Sequence, residues 1–127
     1  MQELNRFREL FWDAFHRPKL KSEKYQTIWH NLEGINGMLA GPLFSIFENG
    51  DCNYIFTDNK RFAEVGDVDD LLNWLTNYIE EYRNTVLSTQ PESDDESDDL
   101  QVLLYQTDIK MELADLAYQI QKKTFHG

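Results

Sequence analysis

The stretch Leu43-Phe44-Ser45-Ile46-Phe47-Glu48-Asn49-Gly50-Asp51-Cys52-Asn53-Tyr54-Ile55-Phe56-Thr57 decides how the chain is read. Two apolar runs, 43–48 and 52–57, flank Asn49-Gly50. Asn-Gly supplies both positive-φ residues of a type I′ turn, so the pattern predicts a β-hairpin. Asp58-Asn59 offers another turn, after which 60–65 returns as a third, edge strand. A lone hairpin is marginal in water, so a third strand or a helix has to cover it.

Upstream, the pattern turns helical. Leu4, Phe7, Phe11, Ala14 and Phe15 share one face, and Pro18 stops that helix by pushing its predecessor out of the helical region. Ser22 caps a second helix with Glu23 in its first turn. Tyr25, Ile28, Trp29, Leu32, Ile35 and Leu39 line it, Gly34 and Gly37 weaken it, and Gly41-Pro42 ends it.

Downstream, Asp67 caps a third helix with Asp69 and Asp70 in its positive first turn. Its stripe is Val68, Leu71, Leu72, Leu75, Ile79, Tyr82 and Val86. Residues 88–99 then change composition: six carboxylates, no cation and no apolar residue except Pro91. That segment predicts a mobile acidic loop. Asp98 or Asp99 caps a last helix running to about Lys122, with a strand over 101–107 as the alternative. On a helix, Leu100, Leu104, Met111 and Tyr118 form one stripe, while Val102, Tyr105, Ile109, Leu113, Leu116 and Ile120 form another, almost opposite. The expected fold over 1–127 is one helix-dominated α+β domain: two helices, an antiparallel hairpin or three-strand meander, then two helices separated by the acidic loop.

The chain has 127 residues and a formal net charge of −11. The charge is uneven, because 25–109 alone carries seventeen anions against three cations. Such a field repels nucleic-acid phosphates and anionic membranes and attracts basic proteins. Acidity for solubility alone is the plain alternative. The opening residues lack the apolar core of a signal peptide, no run approaches bilayer length, and the single cysteine, Cys52, cannot make an internal disulfide. A cytoplasmic protein is the expectation.

Signatures of catalysis are missing from the sequence. The six glycines form no phosphate cradle. His16, His30 and His126 are not spaced as metal ligands, and Cys52 has no adjacent base. Asp69-Asp70 and Glu80-Glu81 point about 100° apart on a helix, so neither pair converges on one substrate atom. Asp51-Cys52-Asn53 and Asp67-Val68-Asp69 lack the central glycine and closing glutamate of a calcium loop. No enzyme activity, metal or cofactor is expected.

Two readings follow. One is a binding module that docks on a basic protein, such as an inhibitor or immunity-type protein masking a nuclease or a nucleic-acid-binding surface. Its attracting residues would be Asp67, Asp69, Asp70, Glu80, Glu81, Glu92, Asp94, Asp95, Glu96, Asp98 and Asp99. The other is a structural subunit or obligate homodimer joined through Val102, Tyr105, Ile109, Leu113, Leu116 and Ile120. Trp12 lies off the first helix's stripe and is a candidate exposed anchor.

Overall fold

A computed structural model describes residues 2–50 and 68–126, with side chains as far as Lys123. Four helices make up the described fold: α1 (Gln2–Phe15), α2 (Glu23–Asn49), α3 (Val68–Leu87) and α4 (Asp94–His126). Among the described residues there is no strand, so the expected α+β architecture is corrected to an all-helical one.

The correction turns on 39–50. Gly41-Pro42 does not end α2, which runs through the first predicted strand to Asn49. The reason is register. Leu39, Leu43 and Ile46 follow one another at four- and three-residue steps, and all three are fully buried. A strand would have put Leu43 and Ile46 on opposite faces. A proline inside a helix costs about 3 kcal/mol. Each of these three buried side chains contributes roughly 2 kcal/mol, and together they outweigh it. Gly41, lacking a Cβ, also eases the clash that a proline imposes on its predecessor. Asn49-Gly50 misled for a related reason. Gly50 does adopt a positive φ of 75°, but as the left-handed residue closing α2, where its N–H donates to the Ile46 carbonyl at 2.8 Å. Helix C-caps and tight hairpins ask for the same residue. The second predicted strand, the third strand at 60–65 and the Asp67 cap lie outside the described residues.

The last helix is also longer than predicted. The acidic loop read over 88–99 is a short link at 88–93 followed by the opening turns of α4. Ser93, not Asp98 or Asp99, caps α4: its hydroxyl accepts from the Glu96 N–H at 3.2 Å. Ser93-Asp94-Asp95-Glu96 is a capping-box sequence, with Glu96 reaching back to the Glu92 N–H at 3.2 Å. The 101–107 alternative resolves as helix.

Packing follows from the faces. The buried residues of α3 are Val68, Leu71, Leu75, Ile79, Tyr82 and Val86, the predicted stripe without half-buried Leu72. α4 packs along both α1 and α3, and α2 packs on the other three helices. One core cluster joins Phe7, Phe11, Leu43, Leu75 and Leu113; a second gathers Tyr25, Leu32, Tyr82, Val86 and Leu103.

Gly34 and Gly37 lie on the exposed face of α2, where an added Cβ meets nothing within 4 Å. Alanine at either position should therefore stabilise the protein by about 1 kcal/mol through helix propensity alone. Thermal unfolding checks this, and an unchanged or lowered midpoint would show that the glycine is required where it stands.

Candidate interaction surfaces

The acidic segment is the most unusual feature of the sequence, and the fold buries its last residue while most of the rest stays exposed. Asp99 is 1% exposed. Its carboxylate accepts from the Lys21 N–H, the Ser22 N–H and the Ser22 hydroxyl, each at 2.8 Å. Burial pushes this carboxyl up, but the Lys21 and Ser22 N–H groups and the Ser22 hydroxyl outweigh it and hold it below its ordinary value. Ser22 in turn caps α2, its hydroxyl accepting from Tyr25 N–H at 3.3 Å. Around this buried clamp, Lys21 pairs with Asp98 at 2.7 Å and lies 4.0 Å from Asp95. Lys24 pairs with Glu96 at 2.9 Å, lies 4.0 Å from Glu92 and donates to the Gln90 carbonyl at 2.7 Å. The hydrogen bond from Lys24 lowers the Glu96 carboxyl and raises the lysine. Of the six carboxylates in 88–99, Asp94 alone has neither a cation partner nor a buried role among the described residues.

A second buried polar group lies at the end of α1. Lys110 of α4 is fully buried, and its Nζ donates to the Ala14 carbonyl at 2.7 Å. It sits 4.6 Å from the Tyr82 ring centroid and 5.2 Å from that of Phe15. One turn earlier, Gln106 donates to the His16 carbonyl at 3.0 Å. Together they satisfy carbonyls that the end of α1 would leave orphaned. Burial lowers the Lys110 amine to about 7, and burial pushes the Tyr82 hydroxyl up to about 12. Sequence reading missed Lys110. The available signal was its place on the helical face of Leu103, Thr107, Ala114 and Ala117, where a cation is out of keeping.

The other predicted residues fall as follows. Asp69, Asp70, Glu80 and Glu81 are exposed on α3. Asp69 accepts from the Tyr118 hydroxyl at 2.9 Å, while Glu80 and Glu81 have no cation partner among the described residues. On α4 the proposed oligomer stripe divides. Ile109, Leu113 and Ile120 are buried in the chain's own core and Leu116 packs against it, leaving Val102 (36%) and Tyr105 (60%) exposed.

Comparison with protein-family models, with curated proteins and with solved structures finds no match. Among the described residues, no three His, Cys, Asp or Glu side chains come together as a metal site would require. His16 lies 3.0 Å from the Asp13 carbonyl, and His30 lies 3.4 Å from Glu33. No described helix is long and apolar enough to cross a membrane.

Aromatic residues single out one edge. Trp29 is half-buried beneath the Arg17 guanidinium, and Trp74 is half-buried with its ring 4.8 Å from that of Tyr78. Trp12 is 58% exposed. Its ring lies 5.1 Å from Phe11, 5.5 Å from Phe47 and 6.5 Å from Phe44, in edge-on arrangements. Phe44, itself 38% exposed, stacks on Phe47 at 5.8 Å and 13°. Sequence reading marked Trp12 but assigned Phe44 to a strand, so it did not find the patch they share.

Proposed function

We propose that this protein is a non-enzymatic binding module that docks on a basic protein partner through the solvent face of α3. The observation that carries the reading is the exposed carboxylate set Asp69, Asp70, Glu80 and Glu81, in which Glu80 and Glu81 have no cation partner among the described residues. The two pairs are about ten residues apart on one helix, roughly 15 Å along its axis, so they span a patch rather than a point. Asp98 and Glu96 are paired with Lys21 and Lys24 within the fold and contribute less to such a surface. Charge complementarity of this kind speeds encounter and makes affinity fall with salt. A partner that presents a cationic groove, as nucleases and nucleic-acid-binding proteins do, has the matching chemistry.

The test is capture from source lysate at low salt, elution with a salt gradient, and identification by mass spectrometry. A stoichiometric basic protein eluting at moderate salt is the expected result. The quadruple variant Asp69→Asn, Asp70→Asn, Glu80→Gln, Glu81→Gln should then lose about tenfold or more in affinity and show a flatter salt dependence. A captured partner that is acidic, or one whose affinity ignores both salt and these four substitutions, would refute the reading.

A further inference from the structure

We infer that the link between α1 and α2 forms a binding site for a small phosphate ester carrying a planar ring, the class to which nucleoside monophosphates belong. The site draws on no residue of α3 and stands apart from the basic-partner reading.

The cations point to it. The chain has 12 Lys and Arg residues, and all but Lys60 and Arg61 are described. Most are already engaged. Arg6, Lys21, Lys24, Arg83 and Lys123 pair with carboxylates. Arg8 and Lys110 donate to backbone carbonyls, and Lys122 donates to the Tyr118 hydroxyl. Arg17 and Lys19 alone have neither a carboxylate nor a hydrogen-bond acceptor among the described residues. Both are exposed, and both line one cavity of about 290 Å³ with Pro18, Leu20, Gln26 and Trp29. Among the described residues, no carboxylate lines it. In a chain of net charge −11, this is a local positive field.

The walls of the cavity are held in place. At the start of the link, Gln106 donates to the His16 carbonyl at 3.0 Å. At its end, Asp99 accepts from the Lys21 and Ser22 N–H groups at 2.8 Å. Buried Pro18 restricts the backbone between them. Gln26 donates to the Leu20 carbonyl at 3.1 Å. A site already ordered loses little freedom when a ligand arrives.

The lining selects the ligand. The Arg17 guanidinium lies 5.6 Å over the Trp29 ring. Stacking uses its face and leaves its N–H edge, which grips an oxyanion through paired hydrogen bonds. Lys19 adds a point charge, and two cations match the dianion of a phosphate monoester better than the single charge of a carboxylate. The half-buried Trp29 ring and the guanidinium above it offer flat surfaces to a planar group. A neighbouring cleft of about 410 Å³ shares Arg17 and Gln26, and its Glu23 and Asn31 are suited to hydroxyls of the ligand. Glu23 and the acidic remainder of the chain repel a longer polyanion, which disfavours a nucleic-acid strand as the occupant.

Isothermal titration calorimetry of the full chain with adenosine monophosphate, at low and high salt, is the test. One-to-one binding that weakens with salt is expected. Adenosine, which lacks the phosphate, and ribose phosphate, which lacks the ring, should each bind about tenfold or more weakly. Arg17→Met and Lys19→Met should each weaken binding of the nucleotide about tenfold, with helical content in circular dichroism unchanged. Lys122→Met, which removes a cation from the far end of α4, should leave affinity as it is. No binding by the folded protein overturns the site, as does binding that survives both the Arg17 and the Lys19 substitution. Adenosine binding as tightly as the nucleotide would remove the anion site and overturn the proposal. Ribose phosphate or inorganic phosphate binding as tightly as the nucleotide would reveal charge attraction alone and overturn it too.

Discussion

Alanine in place of Asp99 is expected to destabilise the protein by about 3 kcal/mol. The carboxylate is 1% exposed and accepts three hydrogen bonds, two of them from backbone N–H groups at the start of α2. Its removal strands all three donors at a junction where α2 begins and α4 passes. Denaturant unfolding monitored by circular dichroism should show a lowered midpoint with an unchanged slope. Asp98→Ala is the control. Asp98 is also bonded to Lys21, but at the surface, and its loss should leave stability nearly unchanged. Equal midpoints for the two variants would refute the clamp. The clamp also has a pH signature. The Asp99 carboxyl is held below its ordinary value, so its contribution is complete above the unfolded carboxylate range and is lost as pH falls through the lower, folded value. Wild-type protein should therefore lose stability below about pH 4 more steeply than the Asp99→Ala variant.

Lys110 gives the opposite dependence, at the other end of the scale. Its amine is lowered from 10.5 to about 7, so between these values the unfolded chain binds a proton that the folded chain does not. Stability must therefore rise with pH across that window. From pH 7 to 9.5 the gain should be about 3 kcal/mol, taking 1.36 kcal/mol for each unit. Tyr82 does not oppose it in this range, since its hydroxyl is raised to about 12 and keeps its proton. Lys110→Met should abolish the rise. It should also make the protein more stable than wild type at pH 7, by roughly 2 kcal/mol, because removing a buried charge outweighs the loss of the bond to the Ala14 carbonyl. Thermal unfolding of both proteins across this pH range decides the matter. A methionine variant that keeps the wild-type slope would place the titrating group elsewhere.

The contrast between Asp99 and Lys110 illustrates how unevenly the sequence speaks. Period alone placed α1 and α3 and the first half of α2, because each has an apolar stripe at three- and four-residue steps. Composition alone marked the chain as acidic and pointed to the carboxylates of α3. The course of 39–50 was not legible, since Leu43 to Phe47 suits either a strand or a helix as a short apolar run, and Asn49-Gly50 serves a hairpin and a helix C-cap alike. Burial of Leu39, Leu43 and Ile46 against the other helices settles it, and that energy exists only once those helices are in place. The same holds for charge. In the sequence, 88–99 is six carboxylates without a cation. In the fold, Lys21 and Lys24, some seventy residues away, lie against them and tie the segment to the start of α2. Local residues write periodicity, caps and net charge, whereas the pairing of distant ions, the choice between helix and strand for a short run, and the exposure of Trp12 depend on which surfaces the folded chain brings together.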